Sequence, residues 1–194
     1  MKLMKIFSAV MVATTMGAAV TVATPSMTAD AKAKKSLKTL PKSLRRTWYH
    51  YEKNDKGKLV YSKLKISAKK IVDSWNGWDT SKVHTTKSNL HQYNPAKKLQ
   101  KGKDSWIFAY KSGAKTRFGG WSPEFPKDMT YKRAREQYKV VTDKVNGKKV
   151  KVLHHTNLAS LPQNTAYYYT SKKLAKQTNP QGHNYGDNYG YGYK

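Results

Sequence analysis

Cysteine is absent from the 194 residues. That excludes disulfides, a thiolate nucleophile, a lipid carried on an N-terminal cysteine and any cysteine-based zinc site, so stability has to come from packing. Acidic residues are scarce, with 11 Asp+Glu against 38 Lys+Arg. Past the N-terminal segment only Glu52, Glu124, Glu136 and seven aspartates remain, most of them beside lysines. Ion pairing or turn capping is the expected work of these groups, since glycosidase chemistry needs two carboxyls facing one bond. Arginine is limited to Arg45, Arg46, Arg117, Arg133 and Arg135. Ser105 and Ser122 lack a G-x-S-x-G context, and there is neither a P-loop nor a dinucleotide glycine fingerprint. A non-enzymatic protein is the expectation, with no catalytic residue, no cofactor and no metal.

The N-terminus has the three parts of a secretory signal. Lys2 and Lys5 precede an apolar run from Ile6 to Ala23, Pro25 breaks that run, and a small-residue exit follows at Ala31-Lys32-Ala33. Cleavage is expected after Ala33, with Ala31 as the alternative and an uncleaved anchor as the competing reading. Removal of residues 1–33 would leave 35 Lys+Arg against 10 Asp+Glu, a charge of +25.

Most of that excess is lysine, a hydrated point charge rather than a bidentate fork, which favours diffuse attraction over geometric selection of phosphates. For an exported chain, the expected partners are anionic cell-wall polymers or lipid head groups. Nucleic acid suits the charge equally well but ranks lower, because export removes the usual opportunity. No obligate protein partner is inferred, and the expected address is secreted and loosely surface-associated.

Residues 34–44 read as a basic leader and 45–177 as one β-domain. Arg46 to Tyr51, a turn at Asn54-Asp55-Lys56-Gly57, and Lys58 to Ile66 predict a hairpin in which Val60, Leu64 and Ile66 share the buried face and Lys63 and Lys65 the wet one. Further strands are predicted at Lys70–Asp73, Lys82–Tyr93, Asp104–Lys111 and Thr165–Thr170. A tight connection is expected at Trp75-Asn76-Gly77-Trp78, and a bulge or bend at Gly119-Gly120. Asp128 is placed as the cap of a short helix through Glu136, and Lys172 to Gln177 as a terminal helical turn. Asn146-Gly147 predicts a type I′ hairpin with Val141 opposite Val152 and Asp143 opposite Val150. After Thr178 the composition turns to Gly, Asn and Tyr, and 178–194 reads as a flexible tail carrying Tyr185, Tyr189, Tyr191 and Tyr193. Seven or eight short strands separated by turn signals predict a mainly β fold, a small antiparallel barrel or sandwich.

The stretch Leu40-Pro41-Lys42-Ser43-Leu44-Arg45-Arg46-Thr47-Trp48-Tyr49 resembles a group of small, uncharacterised secreted proteins of lactic acid bacteria that open with L-P-x-S-L-R-G-T-W-Y. Arg46 stands where that group has glycine. The first-strand tryptophan also resembles the opening of lipocalins, which implies that Trp48 closes the base of a barrel. Neither resemblance brings an activity.

Among the tryptophans, Trp48 and Trp106 are expected in the core, and Trp75 and Trp78, placed on a turn, are candidates for surface contact. Lys97, Lys98, Lys148 and Lys149 are candidates to grip anionic polymers, as is the pair Lys172-Lys173. His50, His84, His91, His154 and His155 form no i, i+4 metal pair, and His154 and His155 should point to opposite faces of a strand. One alternative function is a small-ligand carrier whose apolar interior is lined by Trp48, Tyr49 and Trp106. Another is a cationic factor acting on membranes.

Overall fold

The computed structural model describes residues 35–54, 56–76, 82–94, 96–124, 129–130, 134–159 and 163–183. The predicted signal segment, Trp78, Asp128 and the tail tyrosines lie outside the described residues. Nine strands form a closed barrel in sequential order. They are β1 (Thr47–Lys53), β2 (Leu59–Ile66), β3 (Lys70–Asn76), β4 (Val83–Leu90), β5 (Trp106–Ser112), β6 (Lys115–Gly120), β7 (Glu136–Val145), β8 (Lys148–Asn157) and β9 (Asn164–Tyr169), followed by helix α1 (Lys172–Thr178).

Neighbours pair antiparallel except β4 and β5, which meet in parallel over only Asn89↔Trp106 and Leu90↔Ile107. The ring closes where β1 meets β9 at Tyr49↔Tyr169. By contrast, β7 and β8 pair along ten positions, including Val141↔Val152 and Asp143↔Val150. Their turn holds Asn146 at φ 49° and Gly147 at φ 75°, the two left-handed residues that a type I′ connection requires.

Strand alternation decides what the barrel contains. On β2, Ser62, Leu64 and Ile66 are buried while Lys63 and Lys65 are exposed. The lower interior is apolar, built around Trp48, Leu64, Ile66, Leu90, Phe118 and Leu153. Trp48 is 0% exposed, donates from Nε1 to the Leu44 carbonyl at 2.9 Å, and lies under the Arg46 guanidinium at 5.4 Å.

The segment read as a leader is part of this core. Leu40 and Leu44 are 0% and 2% exposed, with a 3-10 turn over Lys42–Leu44. Backbone bonds tie Leu37 to Ala109 and Leu40 to Ala68, each at 2.8 Å. Two leucines four positions apart thus plug the barrel's end, a role masked by the lysines around them.

Two apolar patches on the outer wall are also covered. Helix α1, capped by Ser171 accepting from the Leu174 amide at 3.2 Å, lays Ala175 and Leu174 over Tyr51, Val152 and Tyr169. Beyond it the chain stays docked: Asn179 Nδ2 donates to the Tyr51 carbonyl at 2.6 Å, and Lys53 N–H to the Gly182 carbonyl at 2.7 Å. Order therefore continues past the predicted tail boundary at Thr178, through His183. On the opposite wall Phe108 and Tyr110 are covered by Met129 and Ala134, and Tyr110 donates to the Met129 carbonyl at 2.9 Å.

The predicted helix to Glu136 does not extend that far. Ala134 and Arg135 are irregular and Glu136 opens β7, because its pairing with Phe118 and Asn157 adds ladder bonds that a short isolated helix lacks. Gly119 lies in β6 without a break in pairing. A Cβ there would collide with the Phe108 ring, so close approach explains this glycine.

Candidate functional site

Above the apolar floor the barrel interior is ionisable. β1 supplies His50 and Glu52, β2 Ser62, β3 Asp73, β7 Glu136 and β8 His155, all on the inward alternation of their strands. Ser62 donates to Glu52 Oε1. The His50 side chain is 6% exposed, and its Nε2 lies 3.7 Å from Glu52 Oε2, close enough for charge attraction but without a hydrogen bond. His50 Nδ1 sits 2.9 Å from the Tyr167 carbonyl. A carbonyl only accepts, so Nδ1 carries a proton. His155 Nε2 meets Glu136 Oε2 at 2.5 Å.

Asp73 differs from the two glutamates. Its Oδ1 is buried with no hydrogen-bond partner. Burial pushes its carboxyl up to about 6, opposed by attraction to His155, reinforced by repulsion from Glu52 and partly offset by a bond from the Ser74 backbone.

Asp73 lines a cavity of about 230 Å³ in the barrel wall and interior. β3 also contributes Ile71 and Trp75 to it, β7 contributes Glu136 and Tyr138, and β6 contributes Gly120. Gly120, exposed at the rim, would meet nothing within 4 Å if it carried a Cβ. Its missing side chain leaves the opening clear. No lysine or arginine among the described residues lines the cavity. Among the described residues no group of three His, Cys, Asp or Glu side chains could hold a metal ion.

Several expected positions are revised. Trp75 is not on a turn: it belongs to β3, pairs with His84 across β4, stacks on that ring at 5.9 Å and lines the cavity. The ligand-lining set Trp48, Tyr49 and Trp106 does not line it. Trp48 is packed into the floor, Tyr49 faces the outer cluster under α1, and Trp106 is half-buried, stacked on His91 at 3.2 Å and edge-on to Trp121 at 5.2 Å. Strand alternation sends Trp106 outward because Ile107 takes the inward place. Glu52 and Glu136 turn inward, each beside a histidine.

Lys97 and Lys98 are exposed in the β4–β5 connection, and Lys148 and Lys149 on the β7–β8 hairpin. His154 and His155 do point to opposite faces. His154 packs edge-on against Tyr167 at 4.8 Å, and burial with nearby Lys139 pushes its pKa down. His155 packs against Tyr138 at 4.5 Å. The interior ionisable set escaped sequence reasoning, although Ile71-Val72-Asp73-Ser74-Trp75 carries the signal: a carboxylate on the same alternation as two large apolar residues.

Fold and site together define a closed nine-stranded β-barrel with an apolar floor, an ionisable upper interior and a cavity in its wall. No protein-family model matches the chain, and no curated protein or solved structure shows significant similarity to it.

Proposed function

We propose that this chain is an exported, non-enzymatic β-barrel held at anionic cell-wall polymers by the lysines of its outer surface. The observation that carries the reading is the partition of charge. Three carboxylates, Glu52, Asp73 and Glu136, face the barrel interior, while lysines crowd the outside and the β7–β8 hairpin. Within the ladders Lys144 stands opposite Lys149 and Lys115 opposite Lys139. Directly opposed like charges weaken a strand pair. A polyanion laid across the hairpin removes that repulsion and gains the release of its own counterions. Export is supported by the N-terminal charged, apolar and small-residue pattern.

The test is retention of the full chain on isolated cell walls or on immobilised poly(glycerol phosphate) along a salt gradient. Elution at moderate salt is expected. Replacing Lys144, Lys148, Lys149 and Lys151 by glutamine should shift elution to lower salt. Undiminished retention at roughly 1 M salt, where the screening length is about 3 Å, would refute it.

A further inference from the structure

We propose that the cavity between β3, β6 and β7 is a binding site for a small organic cation, a protonated amine bearing an apolar group, with Asp73 as its counter-ion. The inference is independent of the surface reading above, since it concerns the inside of the barrel rather than its lysines.

Three observations converge on it. First, the cavity carries one sign of charge. Among the described residues no lysine or arginine lines this space, whereas Asp73 and Glu136 do. The lining carboxylates Asp73 and Glu136 are backed by Glu52 and by the imidazoles His50, His155 and His84, the last stacked on Trp75. An anionic ligand would meet repulsion there, and a cation attraction. Second, Asp73 Oδ1 is buried and makes no hydrogen bond, while Glu136 and Glu52 are already engaged with His155 and Ser62. A buried acceptor without a donor is costly, and an ammonium group supplies up to three N–H donors together with the opposite charge. Third, the remaining wall is aromatic and aliphatic. Trp75 and Tyr138 bring aromatic rings to the wall, where a cation gains from ring contact, and Ile71 with Phe118 would hold an apolar substituent. A volume of about 230 Å³ lies below the usual range for drug-sized ligands, which confines the occupant to a small molecule.

Access is built in. Gly120 faces Ile107 across the β5–β6 ladder and leaves the rim open, with exposed Thr86 on the β4 side. The raised proton affinity of Asp73 fits a group waiting for a positive partner.

The experiment is titration of the full chain with ammonium, methylammonium and benzylammonium chlorides against sodium benzoate and benzyl alcohol at matched ionic strength, followed by backbone and indole NMR shifts. Benzylammonium should move the resonances of Asp73, Trp75 and Tyr138, with saturation, and bind more tightly than methylammonium. Benzoate and benzyl alcohol should not. Asp73→Asn should weaken benzylammonium binding at least about tenfold, the effect of losing a charge-assisted hydrogen bond. Gly120→Leu should weaken it similarly by filling the rim, while circular dichroism stays unchanged in both variants. Equal binding of benzoate, benzylammonium shifts that avoid the cavity, no shift with any of the three cations up to their solubility, or unchanged affinity in a folded Asp73→Asn variant would each overturn the proposal.

Discussion

Replacing Asp73 by asparagine should make the barrel more stable at neutral pH and remove part of its pH dependence. Burial raises the Asp73 pKa from 3.8 to about 6 in the fold, so the native state holds this proton more tightly than the unfolded chain does. Between those two values the native state binds more protons, and stability falls as pH rises. Below pH 4 the penalty is nearly absent. Above pH 7 it is complete, and the shift corresponds to about 3 kcal/mol. Asparagine keeps an acceptor for the Ser74 amide but leaves a buried NH2 where Oδ1 now lies, which offsets about 1 kcal/mol of the gain. The expected outcome is a variant more stable by roughly 2 kcal/mol at pH 8, with the difference vanishing or reversing near pH 4. Urea unfolding of both proteins at several pH values across that window measures it. Subtracting the two curves cancels the titration of groups remote from Asp73, leaving that of Asp73 together with its coupled neighbours His155 and Glu52. A difference that stays constant from pH 4 to pH 8 would refute the reasoning, because it would mean that Asp73 ionises in the fold as it does in water.

Gly119→Ala should destabilise by about 1–3 kcal/mol through overpacking against the Phe108 ring, read as a lower midpoint in thermal unfolding. Asn179→Ala removes the donor to the buried Tyr51 carbonyl and both bonds to His183. It should cost about 1–3 kcal/mol and speed amide exchange at Lys53, whose N–H bonds the adjoining Gly182 carbonyl. Trp48→Ala should cost about 3–5 kcal/mol, since it empties the floor of the barrel and removes the Nε1 bond to the Leu44 carbonyl; loss of near-ultraviolet dichroism together with a lowered denaturant midpoint is the expected signature.

Much of the wall was legible in the chain, because each strand is announced by local chemistry. The β7–β8 register follows from one dipeptide: Asn146-Gly147 accepts two positive φ angles, and every pair down the ladder is then counted from that turn. The alternation of β2 likewise sorts Leu64 from Lys65 without reference to any other strand. What was not legible depends on contacts distant in sequence. Leu40 and Leu44 look like isolated leucines in a basic stretch until Trp48, Leu153 and Tyr168 are brought around them. Trp75 sits beside Asn76-Gly77, a turn signal, yet β4 extends the pairing of β3 to Asn76, so ladder bonds override local preference. Asp73 falls among the acidic residues read together as ion-pairing or turn-capping groups. Only barrel closure shows that Leu64 and Thr86 flank it on the inner face.

The parallel junction of β4 and β5 rests on two residue pairs and the closing seam of β1 and β9 on one, in a wall whose β7–β8 join spans ten. Helix α1 straps the second of these clasps across Tyr51 and Tyr169, and a hoop parts first at joins where the fewest bonds must break. Thr86 and Ser88, just above the β4–β5 clasp on β4, also border the cavity. One of the two least secure joins of the cylinder therefore lies beside this chamber.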